Sequence, residues 1–80
     1  MKNKLSNKSE HQRARLLAYL YANNSISTIE ARSILDILAP APRIKELREV
    51  GHKIVTHWSI ENTPLGTHKV ARYVLLVGVN

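Results

Sequence analysis

The stretch "APAPRIKELREVGHKI", residues 39–54, decides how this chain folds. The junction DILAPAP, which leads into it, is not uninterrupted helix. Pro40 and Pro42 lack backbone donors, and Ala41 precedes a proline. Proline is tolerated in a helix's first turn, where N–H groups have no intrahelical partner. A helix therefore starts at or between Pro40 and Pro42. Ile44, Leu47 and Val50 form a buried stripe that carries it through Val50, and Gly51 suits the left-handed position that ends it. The opposite face centres on Lys45 and Glu49, with Pro42 and Glu46 beside them. Arg43 and Arg48 flank the stripe. HKIVTHW, residues 52–58, then alternates. Ile54, Thr56 and Trp58 lie on one side and Val55 and His57 on the other, which is a strand pattern.

Upstream, SEHQRARLLAYLYAN (9–23) reads as a helix. Ser9 and Gln12 have capping-box spacing, Leu16, Leu17 and Leu20 share a face with Ala14 nearby, and Asn23 and Asn24 suit its end. Arg13 and Arg15 point elsewhere. SIS (25–27) is too short to assign by pattern, but Ile26 reads as a buried residue in a brief extended piece. Ser27 and Glu30 form a second capping box. It opens a helix that runs to about Asp36, with Ala31, Ile34, Leu35 and Leu38 as its apolar stripe. Downstream, Asn62, Pro64 and Gly66 mark SIENTPLGTHK (59–69) as a loop. VARYVLLVGV (70–79) is a strand rich in β-branched residues, so the C-terminal part is one hairpin. Residues 1–8 hold Lys2, Lys4 and Lys8 among Asn and Ser and read as a flexible basic arm. Residues 9–77 make the domain, and 78–80 a tail.

The chain has 80 residues, enough for one small core. It has no cysteine, which excludes disulfides and thiolate metal sites. No apolar leader or membrane span occurs, so a cytoplasmic protein is expected. Twelve Lys and Arg against six Asp and Glu give a net charge of +6, which favours a polyanionic partner. His52, His57 and His68 have spacings that suit no common metal site. Glycine-rich phosphate loops, nucleophile motifs and paired acids are missing, so neither a cofactor nor enzymatic activity is expected. Tyr19, Tyr21, Tyr73 and Trp58 are scattered and read as core rather than as a base-stacking platform.

A lone hairpin is not stable in water and must pack on the helices. The expected core joins Leu16, Leu17, Leu20, Ile34, Leu35, Ile44, Leu47, Ile54, Tyr73 and Leu75, with Trp58 covering an edge. Three helices, a brief extended piece near Ile26 and a C-terminal hairpin define an α+β, winged helix-turn-helix arrangement. The ordered pieces QRARLLAYL, SISTIEAR, PAPRIKELREVGHKI, THW and VARYVLL cover most of residues 12 to 76. Together they resemble the winged helix-turn-helix domains of small bacterial and bacteriophage proteins. That resemblance implies a DNA-binding protein, encoded by a phage or mobile element and associated with the bacterial nucleoid. Its role would be transcriptional regulator or recombination accessory factor. The third helix would enter the major groove, and the 59–69 wing would touch the flanking backbone or minor groove.

On this resemblance the DNA-binding candidates are Thr28 and Arg32 at the second helix, and Pro42, Arg43, Lys45 and Arg48 on the third. His68, Lys69 and Arg72 on the wing and its return strand complete them, with the arm lysines Lys2, Lys4 and Lys8 tracking phosphates. Each also has a plain structural reading. Lys45 has i,i+4 spacing to Glu49, Arg43 can wall the core, and the wing residues can line a polar strand face. The third helix opens on Ala39, Pro40, Ala41 and Pro42, so its leading end offers methyl and ring contacts rather than polar side chains. Glu46 and Glu49 on its exposed side repel phosphate. A docking module for another protein or for a second copy of itself, or an RNA binder, is the alternative, because a fold does not fix function.

Overall fold

The computed structural model describes residues 8–77. Helix α1 spans Ser9–Asn23, strand β1 Ser25–Ser27, helix α2 Thr28–Leu35 and helix α3 Pro40–Glu49. Strands β2, Ile54–Thr63, and β3, Gly66–Leu75, complete the order. This is an α+β, winged helix-turn-helix fold. The brief extended piece at Ile26 is a true strand. It pairs antiparallel with β3, with Ile26 opposite Tyr73, and the sheet order is β1-β3-β2.

Each helix end has a local cause. Lys8 occupies the N-cap position of α1, and its carbonyl accepts from the amides of His11 and Gln12. Lys8 thus belongs to the helix start and not to the arm. Lys2 and Lys4 lie outside the described residues, as does the 78–80 tail. The expected Ser9–Gln12 capping box does not form, because Ser9 is already helical and its Oγ instead accepts from Arg43 Nη1 at 2.7 Å. Asn24, at φ +76°, closes α1 by donating its N–H to Leu20 O. The second capping box is complete. Ser27 Oγ accepts from the Glu30 amide at 3.0 Å, and Glu30 Oε1 accepts from the Ser27 amide at 2.9 Å. Helix α3 starts on Pro40 and ends in a Schellman turn. His52 N donates to Leu47 O and Gly51 N to Arg48 O, with Gly51 at φ +108°.

Leu16, Leu20, Ile26, Ala31, Ile37, Ile44, Leu47, Ile54, Ala71, Tyr73 and Leu75 form the core. Leu17, Tyr19 and Leu35 pack against it. Full burial of one such Leu or Ile contributes about 1.5–3 kcal/mol. Ile34, Leu38 and Val50, read as buried, are exposed, and Ile37 takes the inward place. The reason is local. Asp36, at φ +58°, ends α2 in the left-handed conformation, and Ile37 N donates back to Ala31 O. The reversal turns Ile37 inward and Leu38 outward, so the helical period stops before Leu38. Val50 is the C-cap of α3, one step past its last helical residue.

The hairpin is longer and tighter than its composition implies. The register is unbroken from Ile54↔Leu75 to Thr63↔Gly66, leaving only Pro64 and Leu65 as the turn. The expected 59–69 loop is therefore mostly strand, and the return strand begins at Gly66 rather than at Val70. Proline's fixed φ excludes the mirror-image turns that two-residue hairpins favour. The adjustment falls on Gly66, at φ +149°. Trp58 and Tyr21 are exposed rather than core. Trp58 lies on β2 opposite the buried Ala71, with most of its own side chain in solvent.

Candidate nucleic-acid interface

The candidate cations divide into those the fold uses and those it leaves outward. Arg43, half-buried on α3, donates from Nη2 to Glu46 Oε2 at 3.0 Å and from Nη1 to Ser9 Oγ. Its Nε lies 2.9 Å from Glu46 Oε1 but out of hydrogen-bonding alignment, so that contact is ionic. Arg13 reaches the same carboxylate, Nη1 to Oε1 at 2.9 Å, and fastens α1 to α3. The Arg13 hydrogen bond, helped by the positive charges of Arg43 and Arg13, holds the Glu46 carboxyl below its ordinary value, against a smaller opposing effect of burial.

Arg48 and Arg72 are also tied into the fold. Arg48 donates from Nε to Ile54 O at 2.6 Å and from Nη2 to Thr56 Oγ1 at 2.7 Å, pinning the end of α3 to the start of β2. Arg72 bridges three elements through Ser25 Oγ at 3.1 Å, Glu30 Oε1 at 3.3 Å and Glu61 Oε2 at 3.2 Å. Thr28 Oγ1 donates weakly to Ala71 O at 3.4 Å. These side chains hold the scaffold, and the charges of Arg43 and Arg72 are met by carboxylates within it, whereas exposed Arg48 meets only a carbonyl and a hydroxyl.

Arg32, Lys45, His68 and Lys69 remain outward. Lys45 sits on the exposed side of α3, 3.3 Å from Glu49, in a surface pair of the kind that contributes little. Pro42 is exposed at the leading end of α3 and borders a hollow of about 270 Å³ with Gln12, Asp36, Leu38, Ala39 and Arg43. Arg32 leaves most of its guanidinium outward, with Nε donating to Leu38 O at 2.9 Å. Lys69 Nζ lies 5.6 Å from the Trp58 ring centroid, a cation–π distance that holds the ammonium on the wing face. His68 Nε2 lies 3.3 Å from Thr63 Oγ1.

The fold brings three of these four together. An open groove of about 570 Å³ runs between α2 and the wing. Ile29, Arg32 and Ser33 line one side, and Thr63, His68, Lys69 and Val70 the other. None of these side chains is acidic. Ser33 and Thr63 were not anticipated as site residues. The 29/32/33 spacing puts the α2 trio on one helix face, but their opposite wall exists only because the wing is strand and not loop.

A three-helix body with a two-strand wing defines the winged helix-turn-helix class. The model of the winged helix-turn-helix domain family matches residues 11–78, and the chain belongs to that family. Membership points to DNA as the partner. No curated protein and no solved structure matches the chain. Among the described residues, no helix is long and apolar enough to cross a membrane.

Proposed function

We propose that the protein binds double-stranded DNA without catalysing a reaction. Its role is that of a phage or mobile-element regulator or recombination accessory factor. Helix α3 presents Ala41, Pro42 and Lys45 to the major groove, while the α2–wing groove seats a flanking phosphate strand on Arg32, His68 and Lys69. The carrying observation is that groove, where separate elements converge two cations, an imidazole and two hydroxyls with no carboxylate among them. The apolar leading end of α3 fits methyl contacts to thymine better than polar base reading. Binding on this reading is driven more by backbone and shape than by base-edge hydrogen bonds.

The test is duplex affinity across a salt series. Each phosphate neutralised contributes roughly 0.9 to the slope of log affinity against log salt. Lys69→Ala and Arg32→Ala should each flatten the slope by about that amount and weaken different duplex sequences alike. Absence of duplex binding at low salt overturns the proposal. Slopes unchanged in both variants would remove the groove from it.

A further inference from the structure

Among the described residues the sheet ends at β2. Two hydrogen bonds fix which backbone groups face that edge. Leu76 N donates to Lys53 O, and Leu75 N donates to Asn24 O, both at 2.9 Å. Even-numbered residues of the return strand thus bond to β2 and odd-numbered ones to β1. Carried along the register, Val55, His57, Ser59 and Glu61 bond inward to β3. Thr56, Trp58, Ile60 and Asn62 direct their N–H and C=O outward. Ile54, also even-numbered, agrees with this phase, because its carbonyl accepts from Arg48.

Edge strands are ordinarily guarded by proline, lysine, a bulge or brevity. Apart from the Arg48 guanidinium at Ile54 and the Thr56 hydroxyl, Ile54–Thr63 has none of these. It runs ten residues with neither Lys nor Pro, and its register is continuous. Trp58 and Ile60, on one face of it, are each 64% exposed.

We propose that β2 pairs antiparallel with β2 of a second copy of this chain, about a two-fold axis through Ser59. The strand's own sequence selects that register. Outward residues must meet outward residues, so the axis falls on Ser59 or shifts by a single residue in either direction. With the axis at Ser59, Trp58 faces Ile60 of the second copy, Thr56 faces Asn62, and His57 faces Glu61, each pair occurring twice. An axis at Trp58 asks for the Ile54 carbonyl that Arg48 already occupies. An axis at Ile60 brings Thr56 opposite Pro64, which has no N–H. Only the Ser59 axis sets the Glu61 carboxylate across from the His57 imidazole, which can donate to it. His57 and Glu61 then form a non-hydrogen-bonded pair, the type with the closer side-chain approach. Glu61 Oε2 is engaged by Arg72, which leaves Oε1 for His57 of the second copy. The two Trp58–Ile60 pairs merge into one apolar cluster on the face that also carries Lys69.

The test is the mass of the full chain by sedimentation equilibrium from micromolar to several hundred micromolar, with doubling from 9.1 kDa expected. Ile60→Pro removes an outward N–H and no ladder bond, so it should leave a folded monomer. His57→Glu sets like charges opposite each other twice and should weaken association on the order of tenfold, while His57→Lys should strengthen it several-fold. These exposed substitutions keep the test valid if the proline variant fails to fold. Hydrogen exchange gives a second readout. The Trp58 and Ile60 amides should exchange fast in dilute samples and become protected as the mass doubles. A 9.1 kDa mass at every concentration overturns the proposal. So does a dimer indifferent to His57→Glu, or one whose Trp58 and Ile60 amides stay unprotected. Capture of a foreign strand on this edge in place of a second copy overturns it as well.

Discussion

At the scale of single residues, the decisive event is what the arginines find. Arg43, Arg48 and Arg72 have the sequence positions of DNA contacts, yet each reaches a carboxylate, carbonyl or hydroxyl within the fold. A guanidinium offers five donors in a fixed fork, which serves internal bracing as well as phosphate. Sequence does not separate the two uses when the partner lies far along the chain, as Glu30 does from Arg72. Glu46 is where this bracing becomes measurable. Its folded-state carboxyl titrates below its ordinary value of 4.5. The stabilisation is therefore fully present above about pH 4.5 and is lost as pH falls through the depressed folded value. Glu46→Gln should lower the melting temperature at pH 7, and the gap from the parent protein should close as both are taken towards pH 3. Melting curves at several pH values would show it, and a gap constant with pH would mean that the Arg13–Glu46–Arg43 cluster contributes nothing through charge.

At the scale of elements, the helices and the presence of the hairpin were legible, and the length of its strands was not. Apolar spacing, the STIE box, the prolines at 40 and 42 and Gly51 are local signals, and they placed α2 and α3 within a residue or two. The box at Ser9 misled because that hydroxyl was claimed by Arg43, a contact set by the packing of α1 on α3. The wing misled for the opposite reason. Asn62, Pro64 and Gly66 are loop-forming residues, but strand pairing with β3 overrides them up to Thr63. The groove was illegible for the same cause, since its wing wall depends on that pairing. Ser27 shows how much one local signal carries. It is fully buried, and its Oγ is the Glu30 amide's partner. Ser27→Ala should cost about 1 kcal/mol. In a domain this small that is a melting temperature roughly 4–8 °C lower. Ser9→Ala, which removes no cap, should lower it less. Equal losses in the two variants would contradict the assignment of the cap to Ser27 alone.

At the scale of the whole molecule, a net charge of +6 draws the protein to polyanions, but its distribution decides which surface faces them. Bracing by carboxylates withdraws Arg43 and Arg72 from that surface, and the α2–wing groove gathers Arg32 and Lys69. The exposed face of α3 is balanced, with Lys45 set against Glu49. If α3 lies in the major groove, Glu49 stands near phosphates and holds back the one lysine there. Glu49→Gln then removes a repulsion and frees Lys45, while the lost surface pair costs the fold only a few tenths of a kcal/mol, ~0.3–0.5. Duplex affinity at low salt should rise about fivefold, a gain of roughly 1 kcal/mol from one screened charge near the backbone. The gain should shrink as salt is added. Lys45→Ala should cost more affinity in the Glu49→Gln background than in the parent, because only there is the ammonium unshared. A Glu49→Gln protein with parental affinity would turn α3 away from the DNA. Binding would then rest on the α2–wing groove, whose Lys69 and Arg32 variants should still flatten the salt dependence. The two sets of substitutions thus separate a helix that reads DNA from a wing that merely holds it.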